Sequence, residues 1–209
     1  MKTEMIQDYD KMKIVVRAKL EGLGYFRALR AMEFAIQYHN GTRKDGNAEF
    51  SHQVSQVALA LTLLPHFLHP EDLLCTIFLH DVCEDYDVPF DTIKELFGDR
   101  VRKSVFLMSK EYKENGVLVK VDNSKYYESL ATDEIASLSK GFDRIHNLMT
   151  MLGGFKEEKQ KEYIQETLEK TVPMLKIARR RFPEQNNAYE NIKFIMTNQV
   201  QLYNALHKK

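Results

Sequence analysis

The chain contains no tryptophan, two cysteines, five prolines and no net charge. Each shortage excludes something. Cys75 and Cys83 are eight positions apart on what reads as one helix. That spacing separates their backbones by roughly 12 Å, too far for a disulfide. Reduced thiols point to the cytoplasm. Lys+Arg and Asp+Glu both total 30, so no global field favours nucleic acid or an anionic membrane. A long apolar run is also missing. The most apolar stretch, Val57 to Leu79, is interrupted by Pro65, His66, His69, Pro70, Glu71 and Asp72, and reads as core helices rather than a membrane span. The start, MKTEMIQDYDKMK, has no apolar h-region, so no secretory signal is expected. The basic run Arg179–Arg181 and the ending His207-Lys208-Lys209 read as solvated helix faces.

What is present is helical periodicity over 209 residues, with 44% apolar and 29% charged side chains. These values predict one soluble domain with a substantial core. Helices are predicted over 5–20 (closed by Gly22 and Gly24), 25–38, 51–64, 70–84, 89–97, 99–110 and 126–152, the last ended by Gly153-Gly154. Two more follow, with Pro173 and Pro183 as breakpoints. In the second helix, Ala28, Ala31, Ala35 and Tyr38 form a small-residue packing face. His39 to Phe50 is a polar loop. Glu111 to Asn123 is the least structured section, with Asn115-Gly116 as a turn signal and Val117–Val121 as a weak strand candidate. The expected fold is all-α, with at most a minor hairpin.

Chemistry concentrates in a divided set of metal-ligand types: His52, the pair His80-Asp81, and Asp143. Imidazole nitrogen and carboxylate oxygen from distant segments suit a mononuclear divalent site. Glu84 and Asp85 follow His80-Asp81 one turn on, a spacing that puts all four on one helical stripe. Such packed ionisable groups repel one another unless a cation or substrate intervenes. The bland reading is an exposed acidic helix end, which Asp87 and Asp91 would continue. Asp143, Asn147 and Thr150 recur at i, i+4 and i+7 beside apolar Ile145, Leu148 and Met149. A buried polar stripe of this kind needs partners, either an ion with phosphate oxygens or a helix–helix hydrogen-bond network. Arg144 could be an ion-pair partner, and His146 reads as structural. Arg43 and Lys44 follow Gly41, and can stack on a base or meet phosphate, though such residues are more often surface charges. For His39 a loop-anchoring hydrogen bond is favoured over ligation.

The ordered combination His39-x-Gly-x-Arg-Lys-x-Gly, Phe50-Ser51-His52, Val57-Ala58, His80-Asp81-Val82-Cys83-Glu84-Asp85 and Asp143-Arg144-x-His146-Asn147 resembles the hydrolase domain of the RelA/SpoT family, within the HD superfamily. Phe97-Gly98, Ser109-Lys110 and Glu166-Thr167-Leu168-Glu169 with Pro173 fit the same order. The resemblance runs from about residue 28 to 173. It implies a single HD-superfamily helical domain over 1–209, with 174–209 as a C-terminal extension. The expected form is a small stand-alone hydrolase similar to the metazoan SpoT homologues, because the length leaves no room for the synthetase domain of the long forms.

It further implies Mn²⁺ held by His52, His80, Asp81 and Asp143, with Glu84 and Asp85 handling the attacking water. Arg43 would pack on guanine, and Lys44, Asn147 and Thr150 would line the nucleotide pocket. The implied activity is hydrolysis of the 3′-diphosphate of ppGpp or pppGpp to GDP or GTP and pyrophosphate. That makes a small-molecule nucleotide the expected partner, with no nucleic acid and no membrane. Two other readings stay open: a phosphatase for another nucleotide, such as the 2′-phosphate of NADPH, and a catalytically silent nucleotide-sensing or partner-binding module. Gln53, Tyr86 and Phe142 stand where the family usually has Pro, Thr and Ala.

Overall fold

The structure, a computed structural model, describes residues 9–43, 46, 48–114 and 116–207. Among the described residues the chain is all-α apart from one short hairpin and an isolated Thr42–Ala48 bridge. In order, the helices are α1 (Tyr9–Gly22), α2 (Phe26–Tyr38), α3 (Ser51–Ala60), α4 (Pro70–Leu79), α5 (Val82–Asp85), α6 (Phe90–Phe97) and α7 (Asp99–Met108). After the hairpin come α8 (Asn123–Leu130), α9 (Glu134–Gly154), α10 (Glu157–Glu166), α11 (Val172–Arg181) and α12 (Asn186–Leu206). Strands β1 (Glu111–Glu114) and β2 (Val117–Lys120) pair antiparallel, Glu111 opposite Lys120. Among the described residues no helix is long and apolar enough to cross a membrane.

Two helices form the centre. In α4 every residue from Leu73 to Leu79 is buried, and in α9 every residue from Ile135 to His146. Helix α4 packs on α2, through its Ala28, Ala31 and Ala35 face, and on α3, α7 and α9. Pro70 occupies the first turn of α4, where the missing N–H costs nothing. In the same turn, Glu71 accepts the N–H groups of Arg27 and Ala28 at 2.8 and 3.3 Å, satisfying orphan donors at the start of α2. Helix α12 lies along α9. A Cβ on Gly141 would come 2.7 Å from Ile192 Cγ2, so glycine at this position permits the close approach.

Several expected boundaries differ. The helix predicted over 70–84 is interrupted at His80-Asp81. There the His80 ring donates from Nδ1 to the Ile77 carbonyl at 2.9 Å, taking the acceptor that the next helical N–H would use. The segment predicted as one helix over 126–152 is two helices. Asp133 starts the second by accepting the N–H groups of Ile135 and Ala136, and Gly153-Gly154 forms the last two residues of α9, where the helix ends. Helix α3 tightens to a 3₁₀ segment from Leu61 to His66. Pro173 is not a breakpoint, because a π turn over Thr167–Thr171 carries α10 into α11; Pro183 is one. The first-helix start at Met5, and Lys44, Asn115 and Lys208-Lys209, lie outside the described residues.

Candidate functional site

Helices α3, α4 and α9 meet and bring His52, His80 and Asp143 together. One ligand atom from each lies within 4.8 Å of the others, and all three residues are buried. They face a cavity of about 280 Å³ that is also lined by Arg43, Asp81, Glu84, Lys110, Tyr126, Lys140, Arg144, Asn147, Tyr163 and Glu166.

The donor set fits a divalent cation. Because the Ile77 carbonyl can only accept, His80 carries its proton on Nδ1, and Nε2 remains to ligate. His52 Nε2 lies 2.6 Å from the Gln56 amide nitrogen and 3.1 Å from Asp143 Oδ1. One nitrogen cannot accept from the first and donate to the second; with its proton on Nδ1, His52 would have one Nε2 lone pair, which a cation held with Asp143 would use in place of the Gln56 contact. On its other side His52 Nδ1 meets His146 Nδ1 at 2.7 Å. Burial holds both imidazoles down, His146 to about 3 with help from His52 and Arg43. The two neutral rings therefore share one proton, and His146 orients His52, the structural role expected of it.

Charge in the cluster is strongly coupled. Burial opposes protonation of His80, but the carboxylates of Asp81 and Asp143 and the Ile77 carbonyl lift it to about 9. Burial likewise opposes ionisation of Asp81, but His80 holds it at about 2. Asp143 is held well below the carboxylate range, despite burial, by Lys140 and His52. A bound cation would take the place of the His80 proton.

Asp81 lines the cavity but stands apart from the three-residue cluster. Its Oδ2 lies 3.1 Å from His80 Nε2 and 3.2 Å from the Gln53 amide, which donates to it. Glu84 faces the cavity and accepts the Lys110 N–H at 2.9 Å. Burial raises its pKa, against the pull of that hydrogen bond. Asp85 does not line the cavity; desolvation and the Asp81 and Glu84 carboxylates push it up to about 6. The interruption at His80-Asp81 thus splits the predicted stripe.

Asn147 reaches the site, donating to Asp143 Oδ1 at 2.9 Å. Thr150 does not line the cavity; its hydroxyl donates to the His146 carbonyl, since a helical threonine readily turns back on its own turn. Arg43 lines the cavity, and Lys44 lies outside the described residues. The hydrogen bond expected for His39 is not what anchors its loop. Among the described residues neither buried ring nitrogen makes a hydrogen bond, Glu49 Oε1 standing 4.0 Å from Nδ1, and the ring packs on Phe50 and Tyr86. The loop is closed instead by the Glu49 N–H on the Gly41 carbonyl and the Gly41 N–H on the Glu49 carboxylate. Tyr86 packs on Tyr38 and His39, and Phe142 on Phe67; neither lines the cavity.

Sequence reasoning gave no role to Lys140, Lys110, Tyr126 or Tyr163. Lys140 carried a usable signal, as the only charge in the apolar run from Ile135 to Phe142, one turn before Asp143. Glu166 is the hub of the outer wall. It accepts from Arg144, from Lys110 Nζ at 3.2 Å and from the Tyr127 hydroxyl at 3.0 Å. Arg144 is an ion-pair partner, one of the roles its sequence left open.

A helical domain with an interrupted His-Asp turn facing a second buried histidine and a distant aspartate is an HD-type domain. No family model matches the chain. The chain is 35% identical over 150 residues to the guanosine-3′,5′-bis(diphosphate) 3′-pyrophosphohydrolase of Aquifex aeolicus, covering 69% of this chain and 20% of that protein. It is 30% identical over 153 residues to the bifunctional (p)ppGpp synthase/hydrolase SpoT of Escherichia coli, covering 71% of this chain and 21% of that one. A solved metazoan ortholog of SpoT superposes with a TM-score of 0.60 at 17% identity, over 85% of this chain and 95% of its own, which shows the shared fold. The chain belongs with the HD hydrolase domains of the RelA/SpoT family, and spans about a fifth of the length of these curated relatives.

Proposed function

We propose that the chain is a metal-dependent phosphohydrolase that removes the 3′-diphosphate of guanosine 3′,5′-bis(diphosphate). The observation that carries this reading is the convergence of His52, His80 and Asp143 within 4.8 Å, in one cavity with Glu84 and four cationic side chains. Relatives at about a third identity are named for this hydrolysis. We take residues 1–209 as one unit with its core over 28–173, acting in the cytoplasm.

The ion is proposed to be Mn²⁺, held by His52, His80 and Asp143, with Asp81 as fourth ligand after leaving its bond to His80. When bound it would acidify a water and polarise a phosphoryl oxygen. Glu84 takes the proton of the attacking water, and Asp85, standing outside the cavity, modulates Glu84 through charge. The water oxygen bonds to the phosphorus next to O3′, the P–O3′ bond breaks, and O3′ leaves with a proton. The products are the 5′-nucleotide and pyrophosphate. Arg43 packs on the base, Lys44 meets phosphate, and Asn147 both braces Asp143 and reaches the nucleotide; Thr150 supports this wall through His146.

The test is product chromatography after incubating Mn²⁺-loaded protein with guanosine 3′,5′-bis(diphosphate) and, separately, NADPH. GDP with pyrophosphate is expected from the first. Cleavage of NADPH with the alarmone left intact would overturn the substrate, and no turnover of any nucleotide would return the chain to the silent-module reading.

A further inference from the structure

Lys140 sits in the wall of the cavity, buried, with its ammonium 2.6 Å from Asp143 Oδ2 and 5.9 Å from the centre of the Tyr126 ring. An ammonium carries three donors. Among the described residues, the only hydrogen-bond acceptor it meets is that single carboxylate oxygen. Its neighbours are better provided for. The Lys110 ammonium and the Arg144 guanidinium both bind Glu166, and Arg144 also meets the Tyr127 hydroxyl. Lys140 is thus a buried cation with donors to spare, facing a polar cavity, and such donors call for an acceptor from outside the protein.

Charge indicates which acceptor. Four cationic side chains and four carboxylates line the cavity, so with neutral imidazoles it is balanced, and a divalent ion makes it net positive. Asp143 also divides its oxygens, Oδ1 to His52 and Asn147 and Oδ2 to Lys140. An anion entering the cavity therefore meets the ion's ligands and this ammonium at one carboxylate.

We infer that Lys140 is a substrate-binding residue of this site, its ammonium holding a non-bridging oxygen of the diphosphate group that is removed. The inference rests on the phosphohydrolase reading but not on the identity of the nucleoside. It differs from a purely supporting role, in which Lys140 would only neutralise Asp143.

The test uses methylenediphosphonate, a non-hydrolysable diphosphate without a nucleoside, titrated calorimetrically into protein saturated with Mn²⁺. Replacing Lys140 with methionine should weaken diphosphonate binding by about ten- to a hundredfold, the scale of one hydrogen bond to a charged group. Mn²⁺ affinity should change by less than about threefold, and Lys140→Arg should recover much of the loss. Unchanged diphosphonate affinity at saturating Mn²⁺, or a loss fully explained by weaker Mn²⁺ binding, would overturn the assignment. If the methionine variant does not fold, the unaltered protein decides the matter. With ¹⁵N-labelled lysine and Mg²⁺ in place of Mn²⁺, the Lys140 Nζ resonance should shift when diphosphonate is added; a stationary resonance overturns the role. Wild type that binds diphosphonate through Lys140 yet leaves guanosine 3′,5′-bis(diphosphate) uncleaved would sink the substrate reading alone.

Discussion

The backbone N–H of Lys110 donates to Glu84 Oε2 at 2.9 Å, while its side chain binds Glu166 at 3.2 Å. One residue at the foot of the hairpin therefore ties the proposed general base to the outer wall of the cavity. The tie fixes one carboxylate oxygen of Glu84 and leaves the other for a water.

Glu84→Gln should keep the Lys110 bond, since an amide oxygen still accepts, and should keep the bound ion. Turnover should fall by roughly two to four orders of magnitude, the scale for a positioned base. Rates of the metal-loaded variant on the nucleotide check this, and near-wild-type turnover would make Glu84 structural.

Metal content separates the ligands. Wild type should retain a single Mn²⁺ after gel filtration, read by elemental analysis, whereas His52→Ala and Asp143→Ala should lose most of it, because each removes a buried donor. Asp81→Ala tests whether this carboxylate leaves His80 for the ion: a sharp loss makes it the fourth ligand, and full retention confines the site to three side chains.

Arg43→Ala should raise KM more than it lowers kcat, because contact with the base is shared by ground and transition states. The change should be larger for guanosine 3′,5′-bis(diphosphate) than for NADPH. Steady-state kinetics on both compounds decide it, and an equal effect on both would remove the base-packing role.

Acid should reach the fold through Glu166. Burial works against this carboxylate, but Arg144, Lys110 and the Tyr127 hydroxyl hold it at about 2 against an ordinary 4.5. A depressed carboxyl stabilises the fold fully above its unfolded pKa and loses that contribution as pH falls towards the folded one. Wild type should therefore exceed Glu166→Gln in denaturant stability by a constant margin above about pH 5. The margin should shrink from pH 4.5 towards pH 2. A margin independent of pH would show that the carboxylate charge is immaterial.

The helical course of the chain was legible because apolar spacing repeats along α2, α4 and α9, and His52, His80 and Asp143 could be picked out by ligand chemistry. What escaped depended on tertiary partners. The stop at His80 comes from a side chain taking the Ile77 carbonyl, which periodicity does not register. Thr150 keeps the predicted spacing but spends its hydroxyl on the His146 carbonyl. Glu111–Glu114 is not apolar, and becomes a strand by pairing with Val117–Lys120, within the Val117–Val121 candidate. Pro173 looked like a break because a π turn has no sequence signature to forewarn of it.

The Lys110–Glu84 contact has one more consequence. Because the donor is a main-chain group, every residue except proline supplies it. Position 110 can exchange its side chain, and so retune or abandon the link to Glu166, without releasing Glu84. The outer wall of the cavity is thereby free to diversify among descendants of this sequence while the grip on the Glu84 carboxylate is inherited unchanged.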